Sequence, residues 1–398
     1  MSRRIALAIG LLLAGAACQE RLTQPGECPA LCPGGVPEVL QEVLEAAPGL
    51  DSSFTGYAER GAGAVLLVSG GVPTPVDTNV SVVVFTPRPA TTTLRDTTWE
   101  YTIDSISLGV GMVARDTAMR NVRFQLYRLP AALDTTALDY AGVRALLTPS
   151  ALVATIPVAD TATRGAQTIV LRDAATLAPL ALGSEDGGRL RLGINMVADG
   201  PTGARIGART SVLPSSFRTF IRPNAPNTVN QVLDAPVEFD TYVSSVNPVP
   251  GPDLLSVGGT PASRSLIRFT LPARLRDSAS IIRATLELSP FEPVRGLPND
   301  PGNLEVRVLT ADLGAKSPTN PNVLSAKPLT GGTSGTVEVE IGSLVRLWQG
   351  AFGLPSALML QVSPEAATFS EATFGSTRSG TVARIRLEYL RAFPFETP

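Results

Sequence analysis

An all-β fold is what this sequence predicts, arranged as two tandem jelly-roll-like β-sandwich domains behind a signal peptide and a short helical tether. Three observations lead there. Charged residues make up only 17% of the 398-residue chain, below the usual ~25%, while Gly and Pro number 36 and 34. Strand-length runs rich in Val, Ile, Thr and aromatics alternate with Gly, Pro, Asp and Thr clusters, the pattern of sandwiches and barrels. These runs also come in two series of similar order and spacing.

The chain begins with a basic Met1-Ser2-Arg3-Arg4, an apolar run from Ile5 to Leu13 and a small-residue tract, Ala14-Gly15-Ala16-Ala17. A charged start, an apolar stretch and small residues before a cut describe a secretory signal peptide over 1–17. The apolar run falls well short of the ~20 residues of a membrane-spanning helix. Residues 18–50 read as a tether. Within it, Pro37 to Ala47 is expected as a short helix, with Pro37 in the first turn and Val39, Leu40, Val43 and Leu44 on one face.

The first domain is expected over 51–222. Its strands are Val65 to Val68, Val80 to Phe85, Trp99 to Leu108, Val122 to Tyr127, Thr168 to Leu171 and Arg189 to Asn195. A linker over 223–235 follows, opened by Pro223-Asn-Ala-Pro-Asn227. The second domain is placed at 236–393. Its strands run from Glu238 to Val246, Ser265 to Leu271, Ile281 to Leu288, Leu304 to Leu309, Thr336 to Ile341, Ala357 to Val362 and Ala383 to Leu390. The period of two puts Ile267, Phe269 and Leu271 on one face, with Leu266 and Arg268 on the other. It also aligns Ile282, Ala284 and Leu286 on one face of the next strand. Val122 to Tyr127 in the first series answers Leu304 to Leu309 in the second, and Arg189 to Asn195 answers Ala357 to Val362.

Cys18, directly after the small residues, resembles the lipobox cysteine of bacterial lipoproteins, although Gly15 stands where that family usually has Leu. The resemblance implies a diacylglycerol on the Cys18 thiol and an acylated mature amino terminus. Gln19 is not the aspartate associated with inner-membrane retention, so the implied location is the outer membrane or cell surface. The chain has three cysteines, an odd number for an exported protein. Lipidating Cys18 leaves Cys28 and Cys32 to close a small disulfide loop; the alternative, a metal-binding pair, has no third or fourth ligand nearby.

The run Phe239-Asp-Thr-Tyr-Val243, Arg264-Ser-Leu-Ile-Arg-Phe-Thr-Leu-Pro272 and Ser280-Ile-Ile-Arg-Ala-Thr-Leu-Glu-Leu288 resembles the DNRLRE-type β-sandwich domain of bacterial secreted proteins, a relative of carbohydrate-binding modules. Leu344-Val-Arg-Leu-Trp348 and Arg384-Ile-Arg-Leu-Glu-Tyr389 extend the similarity across residues 236–391. Two positions depart from the family. Thr270 stands where the phenylalanine strand usually has an aspartate, and Phe369-Ser-Glu-Ala372 lacks the arginine of a serine-arginine-glutamate element.

Composition excludes several chemistries. Without a single histidine there is no Ser-His-Asp or Cys-His triad and no imidazole metal ligand. A net charge of −2 makes no electrostatic case for nucleic acid. The aromatics that could meet a sugar are Trp99, Tyr101, Tyr242, Trp348 and Tyr389; Tyr242 and Trp348 are the candidate ligand-binding pair, with core packing as their alternative. No cofactor is expected, although Asp240, Asp253 and Asp300 leave open a structural calcium held by oxygen ligands. Carboxylate pairs occur at Glu185-Asp186 and at Glu338 with Glu340, and no G-x-S-x-G elbow is present. The expectation is therefore a non-catalytic, lipid-anchored envelope protein that binds a polysaccharide or an envelope protein. A purely structural or assembly role is the alternative, and a carboxylate-based glycan hydrolase or lyase the third.

Overall fold

The computed structural model describes residues 38–56, 65–70, 78–183, 185–245, 251, 253–260, 262–297, 299, 301–350 and 353–391. The signal peptide, Cys18, Cys28, Cys32 and Asp300 all lie outside them. The described chain is mostly β, built from several antiparallel sheets.

Two hydrophobic cores organise these sheets. In the first unit, one sheet runs in the order Gln231–Ala235, Ser216–Pro223, Tyr101–Arg115, Thr202–Gly207, Val65–Gly70, and Gly165–Leu171 also pairs with its long third strand. The facing sheet runs Val237–Ser244, Asn79–Phe85, Arg191–Val197, Arg123–Arg128, Leu152–Pro157. Inward residues of both meet in one cluster: Ile106, Leu108 and Phe217 from one sheet, Val83, Phe124 and Ile194 from the other. Phe85 and Phe217 cross edge-to-face at 5.6 Å, a favoured aromatic geometry.

The second unit repeats this plan. A sheet ordered Val39–Glu45, Arg384–Arg391, Ala279–Leu288, Val337–Glu340 faces another ordered Thr319–Leu329, Gly302–Leu309, Ala357–Ser363, Ser263–Arg268, Leu254–Gly258, Glu371–Gly375. Ser52–Thr55 pairs with Ser263–Arg268 as a further member. Leu44, Leu286, Val339 and Ile385 from one sheet share a core with Val257, Ile267, Val306 and Leu360 from the other. The helix Gly342–Gly350 buries Leu344, Val345 and Trp348 against it.

Several expectations are corrected here. Residues 39–45 form a strand, not a helix. Val-Leu-Gln-Glu-Val-Leu-Glu fits both periods, and pairing with Arg384–Arg391 selects the period of two: Leu40, Glu42 and Leu44 turn inward while Val39 and Val43 face out. The stretch 223–235 contains the strand Gln231–Ala235, hydrogen-bonded to Ser216–Pro223. Val237–Ser244, expected to open the second domain, pairs with Asn79–Phe85 in the first unit. Ile282 does not line the core beside Ala284 and Leu286. A register shift between Ile281 and Arg283 inserts an extra residue, which turns Ile281 inward and leaves Ile282 48% exposed. Ile267, Phe269 and Leu271 do face the core, while Leu266 packs on the opposite side with Leu309 and Met359.

The two units touch. Phe369 and Leu297 of the second unit reach into the core of the first, where Gly203 makes room for them. A Cβ on Gly203 would stand 2.6 Å from the Phe369 ring.

Candidate functional site

A cavity of about 740 Å³ opens at the edge of the second unit, large enough for a drug-sized ligand. Its walls come from Ser52–Thr55, from Gly251, Asp253, Leu254 and Ser256, and from Ala315 and Arg378.

The first wall is held by serines. Ser53 lies opposite Ser265 in the strand register. Its hydroxyl accepts from the Ser256 N–H at 2.8 Å and lies 2.9 Å from Ser265 Oγ, which donates to the Ser256 carbonyl at 2.7 Å. Small hydroxyl side chains let the two neighbouring strands share one network here. The hairpin that brings Leu254–Gly258 back beside Ser263–Arg268 turns at Gly258 and Gly259, both at φ +77. A Cβ on Gly258 would meet the Ser370 carbonyl at 2.3 Å, so the turn requires glycine. Ser256 is almost fully buried, lines the cavity, and its own hydroxyl has no partner among the described residues. Such a group carries a desolvation cost of about 1–3 kcal/mol.

Charge supplies the second wall. Asp51 is 1% exposed, and its carboxylate accepts from Thr377 N–H at 2.7 Å, Thr377 Oγ1 at 2.8 Å and Arg378 Nη1 at 3.2 Å. Arg378 Nη1 also donates to the Asp51 carbonyl at 2.9 Å, and Arg378 Nε lies 3.5 Å from the exposed Asp253 carboxylate. The guanidinium is thus fixed by a buried acid on one side and shared with an open acid on the other. Ser376 Oγ completes the corner by accepting from Arg378 N–H at 3.0 Å. Phe54 provides an aromatic wall, packed on Leu266, Leu309, Ala357 and Met359. Hydroxyls, an oriented guanidinium, an accessible carboxylate and a ring face together suit a polyhydroxylated ligand.

The aromatic rings expected to meet a ligand are elsewhere. Tyr242 is fully buried and its hydroxyl donates to the Ala366 carbonyl at 2.6 Å. Trp348 is 3% exposed and packs 6.3 Å from Phe269. Both are core residues with no face open to solvent. Tyr389 is also buried, with its hydroxyl 3.4 Å from Glu42. Tyr101 donates to the Pro89 carbonyl.

Of the calcium candidates, Asp253 lies at the cavity and Asp240 does not. Asp240 is 7% exposed and accepts from the Arg209 N–H; burial pushes its carboxyl above the usual range, against the opposing pull of that bond. Among the described residues, neither belongs to a group of three acidic or cysteine side chains able to share an ion. Three of these four carboxylates are engaged in ion pairs: Asp186 with Arg128 at 2.6 Å, Glu340 with Arg283 at 3.2 Å, Glu338 with Arg386 at 3.6 Å.

Asp51, Ser53, Ser256 and Arg378 escaped sequence reasoning. Asp51 and Thr377 meet across 326 positions, a separation no local pattern can bridge. No family model and no curated protein matches the chain.

Proposed function

We propose that this protein is a non-catalytic, lipid-anchored envelope protein whose two jelly-roll-like β-sandwiches form a binding module, with the Ser256–Arg378 cavity as its glycan site. The observation that carries the reading is a cavity lined by Ser256, whose buried hydroxyl has no hydrogen-bond partner among the described residues, together with Arg378 and Asp253. Sugars offer paired hydroxyls that donate to a carboxylate while accepting from a guanidinium, and a ring face such as Phe54 covers their C–H surface. The resemblance of residues 236–391 to a carbohydrate-binding relative points the same way, although Tyr242 and Trp348 would serve the fold and not the ligand.

The test is a glycan array with purified protein, with and without calcium, followed by titration of any hit against Ser256→Val and Arg378→Gln. Binding by the parent chain, lost in both variants while their unfolding midpoints stay close to the parent's, supports the reading. A blank array under both conditions, or binding indifferent to both substitutions, rejects it. Mass spectrometry of the membrane-fraction protein tests the anchor, which requires a lipidated Cys18 at the mature amino terminus.

A further inference from the structure

The strand pairings recur in the same order in both units. Arg191–Val197 lies between Asn79–Phe85 and Arg123–Arg128, as Ala357–Ser363 lies between Ser263–Arg268 and Gly302–Leu309. Gly165–Leu171 and Ser216–Pro223 both pair with Tyr101–Arg115; Val337–Glu340 and Arg384–Arg391 both pair with Ala279–Leu288. Two short strands precede each of these blocks. Nine residues, 56–64, separate Thr55 from the first block, and nine, 245–253, separate Ser244 from the second.

Neither leading pair docks on the block that follows it. Val39–Glu45 and Ser52–Thr55 bind the second block, through Arg384–Arg391 and Ser263–Arg268. Gln231–Ala235 and Val237–Ser244 bind the first block, through the corresponding strands Ser216–Pro223 and Asn79–Phe85. We infer that the two units exchange their leading strand pairs reciprocally within one chain, so that residues 38–56 are a donor segment whose acceptor is the far unit's sheet edge.

Packing and charge fit the exchange on both sides. Leu44 and Ala46 belong to the second core, and neither is part of the first. Glu42 meets Arg274 at 2.5 Å and Glu45 meets Arg384 at 3.0 Å. In the other direction Asp234 meets Arg218 at 2.9 Å and Glu238 meets Arg189 at 2.8 Å. Each donor thus carries acids that face arginines of the acceptor. Exchange of an identical element between repeats usually links separate protomers. Here the first unit sits between the donor and its acceptor in the same chain, and the first and last described strands lie side by side, Val39 opposite Leu390.

The experiment uses the full chain, with Cys18, Cys28 and Cys32 replaced by serine and a protease site inserted between residues 246 and 250. After cutting, the two fragments should elute from gel filtration as a single species of full-chain size and separate only in denaturant. Separation in buffer overturns the inference. Register pairing of Gln41 with Glu388 gives a second measurement. Gln41→Cys with Glu388→Cys, oxidised and then cut, should run at full-chain mass on a non-reducing denaturing gel. Phe220→Cys with Val232→Cys, paired within one fragment, should leave two bands. Fragment-sized bands from the first pair overturn the exchange, and a band of twice the chain mass overturns its confinement to one chain.

Discussion

Ser81 and Ser265 occupy matching places in the two units, and what lies beside each differs sharply. Each donates to a carbonyl of the neighbouring strand, Leu67 at 2.9 Å and Ser256 at 2.7 Å. Each also faces one residue of the docked strand in register: Tyr242 opposite Ser81, Ser53 opposite Ser265. In the first unit a large ring is fully buried there and ties the unit to Ala366 of its neighbour. In the second unit a small hydroxyl stands at the same register position, and the Ser52–Thr55 strand borders an open cavity. Leu67 and Ser256 make the same contrast, an apolar side chain against a buried hydroxyl without a partner among the described residues. Similar strand pairing thus serves cohesion in one unit and borders an open cavity in the other.

Moving the second unit's residue into the first is the severest way to break that contrast. Tyr242→Ser removes a buried ring and its hydrogen bond to Ala366, and should cost about 4 kcal/mol in denaturant unfolding. A loss below about 1 kcal/mol would mean that the ring is not packed as described. Asp51→Ala should follow, at about 3 kcal/mol, because it strips Arg378 and Thr377 of a buried acceptor. If the cavity is the proposed glycan site, the same substitution should also weaken glycan binding even where the fold survives. The smallest effect belongs to Asp240. Burial raises its folded-state pKa, so its cost is absent below the unfolded value and grows as pH rises through the window up to the folded value. Asp240→Asn keeps an acceptor for the Arg209 N–H and should raise the unfolding midpoint at pH 7, by less than either loss above. At pH 3 the two proteins should coincide, and a difference as large there as at pH 7 would contradict a buried, charged Asp240.

Much of the strand content was readable from local pattern. Val80 to Phe85, Val122 to Tyr127, Leu304 to Leu309 and Ala357 to Val362 fall on observed strands because apolar runs bounded by turn residues have few other solutions. The facing of Ile267, Phe269 and Leu271 followed from pleat alone. What failed depended on partners. Val39–Glu45 satisfies both helical and strand periods until Arg384–Arg391 is beside it. The bulge that exposes Ile282 is set by the register of two strands about a hundred residues apart, and strand pairing overrides the simple alternation. The proline and asparagine cluster at 223–227 read as the opening of a linker and concealed that the chain returns at once to the same sheet. The cavity was the least legible feature, since its residues are ordinary serines, acids and an arginine until the exchange of strands brings them together.

The docking of residues 38–56 on the second unit has a mechanical consequence. The same segment leads back toward Cys18 and forward to Ser52–Thr55 at the cavity wall. The chain between Cys18 and Val39 can reach at most about 70 Å. With a lipid on Cys18 and a surface-fixed glycan in the cavity, tension would run from the membrane through one strand pair to the ligand. The first unit, although earlier in the chain than most of the second, would carry none of that load.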